Sequence, residues 1–191
     1  MSILRVGIHT RGYTTSTWGV LDNIAIDVIM GLPESEQGNK NLMVIIDTFS
    51  RYIELYPMRE LSSMNACKAL NQWMCRYGRP RNILTDNASQ FYAEYEATLK
   101  MLGIRNEKVH PYSHEENAIV ERANREIIRH LRNILYETKI HREWEDHVPD
   151  IQRIKNSTPV SSTGMAPAEI VFGSSYRLEA GILYPHKIEK E

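Results

Sequence analysis

WGVLDNIAIDVIM, residues 18–30, places an aspartate inside an apolar run in which Ile24, Ile26 and Val28 alternate with Ala25, Asp27 and Ile29. That two-residue period predicts a β-strand, and Gly31-Leu32-Pro33 breaks it. Aspartate is depleted in strands, so a carboxylate at Asp27 calls for an explanation that surface solvation does not give.

Working outward, residues 31–41 (GLPESEQGNKN) read as a turn region. LMVIIDTFS and RYIELYPM follow as two further β-rich runs around a short connection at Ser50-Arg51. Three consecutive antiparallel strands are expected. At Leu61-Ser62-Ser63 a serine can cap a helix whose apolar positions Ala66, Leu70, Trp73 and Met74 recur every three or four residues, and Gly78 and Pro80 end it. A short strand, Asn82 to Thr85, runs into Asp86, and the next helix (FYAEYEATLKM) stops at Gly103. A strand from Ile104 to Val109 comes before the polar loop HPYSHEEN. A long helix then runs from Ala118 to Thr138, with Val120, Ile127, Leu131 and Ile134 as its apolar stripe. A further helix is expected over 142–156, and a short one from Pro167 to Phe172 in a tail punctuated by Pro and Gly. The order βββαβαβαα predicts an α/β protein of the ribonuclease-H-like kind, a mixed five-stranded sheet flanked by helices. Residues 18–157 form its core, 1–17 an N-terminal arm that reads as the remnant of an upstream module, and 158–191 a largely irregular extension.

Composition narrows the function classes. A chain of 191 residues with 42% apolar content fits one well-buried domain, and 25% charged residues with a net charge of -1 exclude a disordered tail or a strongly basic DNA-coating protein. Nucleic-acid contact must then be local. Cys67 and Cys75 supply neither a disulfide framework nor a zinc set, and both read as reduced core thiols. His9, His110, His114, His130, His141 and His147 are not spaced with cysteines as zinc ligands. No run reaches the about 18 apolar residues of a membrane span, and no signal peptide opens the chain, so an intracellular protein is expected.

Each of the three notable acids has an ordinary explanation alone. Asp86 begins a segment that a helix cap explains, and Glu121 lies in a first helical turn, where the dipole favours an acid. Together they differ. A βαβ-type arrangement sets the first strand beside the one entering Asp86, and a helix crossing that sheet can present Glu121 to both. Carboxylates converging in this way suit Mg²⁺ or Mn²⁺, hard cations that prefer oxygen ligands. Two such ions can drive phosphoryl transfer without a protein nucleophile.

At these residues the chain resembles the integrase catalytic core of Ty3/Gypsy-like retrotransposons and retroviruses. The resemblance is carried in order by WGVLDNIAIDVIMGLP, NKNLMVIIDTFSRYIELYP, YGRPRNILTDNASQF, YSHEENAIVERANREI and TGMAPAEIVFG, and covers about residues 18–185. It implies a catalytic, metal-binding triad at Asp27, Asp86 and Glu121. Two metal ions, 3′ processing of DNA ends, their joining to target DNA, a homo-oligomer and a nuclear place of action are implied with it. Between Asp86 and Glu121 lie 34 residues, one fewer than is usual in the family. Ala88 and Ala118 stand where glycine is frequent, which bears on any positive-φ geometry there. The family's usual upstream His2Cys2 zinc module is not evident, so a fragment or a shortened, domesticated descendant is expected.

Arg125 and Arg129 fall one and two turns past Glu121, with Arg132 near the same angular position. From Arg122 to Arg142 there are six Lys or Arg residues against Glu126 and Glu137, a local cationic excess. Beside a triad this reads as phosphate contact, and apart from one as a solvated face. The resemblance adds Tyr112 and Asn117 as DNA contacts. Asp47 reads as a turn or strand-end acid, and Trp18, Trp73 and Trp144 as packing residues. Two other functions stay open on the residues: a noncatalytic DNA- or protein-binding descendant, and a nuclease of the same superfold without strand transfer.

Overall fold

Three strands joined by short turns open the structure, a computed structural model that describes residues 19–85, 94–108, 122–133 and 142–174. β1 (Asn23–Ile29), β2 (Asn41–Asp47) and β3 (Ile53–Met58) pair antiparallel as a meander. The β2–β3 turn is set by Asp47, whose carboxylate accepts the Ser50 backbone N–H at 2.8 Å and its hydroxyl at 2.5 Å. Asp47 is thus a strand-end acid, fully buried, and burial raises its pKa above the usual carboxylate value while the Ser50 donors pull the other way.

α1 (Ser63–Tyr77) starts at Ser62, whose side chain accepts the Asn65 N–H, and ends at Gly78, which supplies a φ of 84°. β4 (Asn82–Thr85) and, after α2 (Glu94–Met101), β5 (Arg105–Lys108) then add to the other side of β1 in parallel. The sheet order β3-β2-β1-β4-β5 leaves β1 central. A strand covered on both faces reads as a near-continuous apolar run, which is why Asp27 stands out in it.

Side-chain alternation divides the core into two layers. Ile24, Ile26, Met43 and Ile45 face α1 through Ala66, Ala69, Leu70 and Trp73, and α2 through Tyr95 and Leu99. Ala25, Ile29, Leu42, Val44 and Ile46 face a helix at residues 122–133, called α3, through Ala123, Ile127 and Leu131. Trp144, Val148 and Ile151 complete that second layer. Two expectations change. The helix foreseen over 142–156 is a 3₁₀ turn, Trp144–His147, followed by α4 (Val148–Ser157). Pro149 explains the break, since a residue without N–H fits only the first helical turn. The cysteines are not both core thiols: Cys67 is half-buried and Cys75 exposed, because Cys75 lies two residues beyond buried Trp73 and so on another face of α1. Trp73 and Trp144 are fully buried, and α5 (Pro167–Phe172) forms as expected, whereas Trp18 lies outside the described residues.

The sheet's outer edge is closed from α4. Asn156 accepts the Ile53 N–H and donates to the Ile53 carbonyl, both at 2.9 Å, and Gln152 accepts the Leu55 N–H at 2.9 Å. Buried Glu54, on the other face of β3, accepts hydrogen bonds from the Tyr56 and Tyr77 hydroxyls and from Arg76, which offset the cost of burying its charge.

Candidate metal centre and nucleic-acid face

Asp27 projects from the middle of the central strand, opposite Val44 of β2, on the face covered by α3. It is partly buried. One carboxylate oxygen, Oδ1, accepts the Val28 backbone N–H at 2.7 Å, and Oδ2 accepts the side-chain N–H of Asn124 at 2.5 Å. Both oxygens of this carboxylate are thus engaged by protein donors.

The neighbours of this aspartate include segments adjacent in sequence to the other two expected acids. Thr85, the last residue of β4, pairs with Ile26, so the position preceding Asp86 in sequence lies at the level of the residue preceding Asp27. Asn124, three residues after Glu121 in sequence, makes the α3 contact. Asp86 and Glu121 themselves lie outside the described residues, as do Tyr112 and Asn117. Among the described residues no three His, Cys, Asp or Glu side chains cluster as a metal site.

α3 has one apolar and one cationic side. Ala123, Ile127 and Leu131 recur every four residues and are buried, while Arg122, Arg125, Arg129 and Arg132 are exposed. Glu126, the acid within this stretch, is ion-paired with Lys155 of α4, a lysine whose pKa burial lowers. Its charge is spent on helix docking, so the arginine side carries a net positive field. Arg51 extends that field. It holds a left-handed φ of 70°, its guanidinium donates to the Thr48 carbonyl, and burial lowers its pKa, an effect that Asp47 opposes and the charge of Arg122 reinforces.

Of the expected site residues, Asp27 is partly buried on the sheet face under α3 and Arg125 and Arg129 are exposed on that helix, whereas Asn124 and Arg51 were not among those expected. Asn124 had a readable signal, its three-residue spacing from Glu121, which shares a face on a continuous helix. Arg51 had none, because its placement follows from a turn conformation.

Residues 22–114 match the Integrase core domain family. The chain carries an integrase core domain. It is 25% identical over 170 residues to the retrovirus-related Pol polyprotein from transposon 412 of Drosophila melanogaster, covering 88% of this chain and 14% of that protein. It is 34% identical over 139 residues to the Gag-Pol polyprotein of woolly monkey sarcoma virus, covering 71% of this chain and 8% of that protein. The chain thus spans a small part of these polyproteins. In fold, this integrase core resembles the HTLV-2 integrase catalytic core domain, solved in complex with magnesium in a trimeric form. The TM-score is 0.65 at 19% identity, covering 80% of this chain and 97% of that one. The ribonuclease-H-like sheet expected from the element order is the sheet that this likeness supports.

Proposed function

We propose that this integrase core is the catalytic centre of a metal-dependent polynucleotidyl transferase that processes 3′ DNA ends and joins them to target DNA. The observation that carries the proposal is the convergence on Asp27. The strand that enters Asp86 pairs beside it, and the helix segment that follows Glu121 hydrogen-bonds to it through Asn124. Asp27, Asp86 and Glu121 are the proposed ligands. The donor set suits Mg²⁺ or Mn²⁺, since it is all carboxylate oxygen. Two such ions, when bound, supply charge stabilisation to the attacking and leaving oxygens of phosphoryl transfer.

The chain's own residues supply the rest. Val28 and Asn124 hold the Asp27 carboxylate, and the apolar stripe of α3 seats that helix on the sheet. Arg125 and Arg129 face outward to take DNA phosphates, a sequence-independent contact appropriate to joining at varied targets. Proposed partners are the element's DNA ends, target DNA and further copies of the chain, because concerted joining brings two ends together. A nucleus is the proposed place of action, where chromosomal target DNA resides.

Incubating the full chain with a recessed-end DNA duplex and Mn²⁺, beside a Glu121→Gln variant, tests this. Joined products that vanish in the variant are expected. Cleavage without joining indicates a simple nuclease, and DNA binding without either reaction a noncatalytic descendant. Equal behaviour of wild type and variant refutes the triad.

A further inference from the structure

We propose that Arg51, on the turn between β2 and β3, is a DNA-backbone contact that carries the cationic side of α3 onto the sheet. This rests on the reading of the chain as a DNA-joining enzyme, and adds a second element to the contacts at Arg125 and Arg129. Arg51 holds a left-handed φ of 70°. That backbone is strained for a residue with a Cβ and unstrained in glycine. The bonds that shape the turn do not need the arginine side chain. The Asp47 carboxylate accepts the Ser50 N–H and hydroxyl, and the Arg51 backbone N–H donates to the Asp47 carbonyl at 2.9 Å, as a glycine's would. Leu21, the other non-glycine residue with a positive φ among those described, packs against the core layer of α1, which accounts for its side chain. Arg51 belongs to neither core layer. Its partly buried guanidinium donates to the Thr48 carbonyl, three residues back in the same turn, and forms no ion pair among the described residues.

Placement and charge say what that side chain can meet. Ile53 and Leu55, two and four residues further on, pack in the layer under α3 with Ala123 and Ile127, so β3 leaves the turn on the face that this helix covers. The charge of Arg122, exposed on α3, acts on the Arg51 guanidinium. Asp47 is the acid that acts on it from within the turn, and that carboxylate is buried. Two guanidiniums from separate elements thus share one region, and a bridging anion would relieve their repulsion. The guanidinium fork suits a phosphate, and its five N–H donors are not exhausted by one carbonyl. The reach is right as well. Val44 pairs with Asp27 and Asp47 with Ile24, so the turn begins three residues along β2 from the level of Asp27, about 10 Å at about 3.3 Å per residue. Phosphates along a DNA strand repeat about every 3.4 Å, so a duplex end at Asp27 spans that distance within about three base pairs.

The test measures binding of the full chain to a DNA duplex by fluorescence anisotropy over a salt series, with thermal unfolding recorded for every variant. Arg51→Gly removes the guanidinium and relieves the backbone, and the second effect offsets loss of the Thr48 bond, so the midpoint of unfolding should stay near that of wild type. DNA affinity should fall about tenfold at about 0.1 M salt, and the slope of log affinity against log salt should drop by about 1. Arg51→Lys keeps the charge and should keep the slope. Wild-type affinity and slope in Arg51→Gly overturn the proposal, whether or not the variant is destabilised. An equal loss of slope in Arg51→Lys also overturns it, since the charge would then not be what binds. Arg125→Ala separates this from the broader reading. If it lowers the slope while Arg51→Gly does not, only the role of Arg51 falls, and if wild type shows no salt-dependent DNA binding, the DNA-joining reading falls with it.

Discussion

Replacing Asn156 with alanine should destabilise the protein far more than its place on a helix in the sequence implies. β3 is one of the sheet's two edge strands and pairs on its inner side with β2, with the Tyr52 and Met58 carbonyls accepting the Asp47 and Lys40 N–H groups at the two ends of that pairing. Ile53, Leu55 and Pro57 face outward. Asn156 serves both polar groups of Ile53, Gln152 takes the Leu55 N–H, and Pro57 has none to offer. Asn156→Ala strands one buried N–H and one buried carbonyl, each costing about 1–3 kcal/mol, so a total loss of about 2–6 kcal/mol follows. Gln152→Ala strands a single partly buried N–H and should lose about 1–3 kcal/mol. Urea unfolding reads both: the midpoint falls while the slope stays constant, because the surface exposed on unfolding is the same. An opened edge also invites pairing between chains, so light scattering should rise in Asn156→Ala. A loss below about 0.5 kcal/mol, the range of an ordinary surface substitution, would refute the claim that α4 closes this edge.

Three other outcomes follow. Arg125→Ala and Arg129→Ala should each weaken DNA binding across sequences and lower the slope of log affinity against log salt by about 1, measured by anisotropy over a salt series. Ile127→Ala, emptying a buried position on the sheet-facing side of α3, should cost about 2–5 kcal/mol in urea unfolding. Asp47 has a folded pKa above its unfolded value. Its contribution is therefore complete at pH below the unfolded carboxylate range and is lost as pH rises through the folded value. Wild type should lose stability relative to Asp47→Asn across that window, and parallel stability curves for the two would contradict the assignment.

The strands and their order could be read because the punctuation is chemical. Gly31-Leu32-Pro33, Gly78 and Gly103 end segments at positions whose backbone or missing N–H allows little else, and Ser62 caps where a serine is expected. The carboxylate in β1 was equally plain, because an acid stands out in a run that is otherwise apolar. Pairing was harder. That β1 is central and flanked by β2 and β4 depends on contacts far apart in sequence, and local pattern gave only a βαβ-type expectation. Asn156 and Gln152, four residues apart on α4, look in sequence like any solvated polar face, and only the strand lying beside them makes them structural. Asn124 was obscured in the same way by the arginines around it. Pro149 was visible but passed over, although a proline inside an expected helix marks a start.

The most direct test of the account is where Mn²⁺ binds in crystals of the full chain, located by its anomalous scattering. The account predicts a peak about 2.0–2.2 Å from an Asp27 carboxylate oxygen, with Asp86 in the same coordination shell and Glu121 adjoining it. Anomalous density confined to sites remote from Asp27, or ions bound there without Asp86, would contradict it.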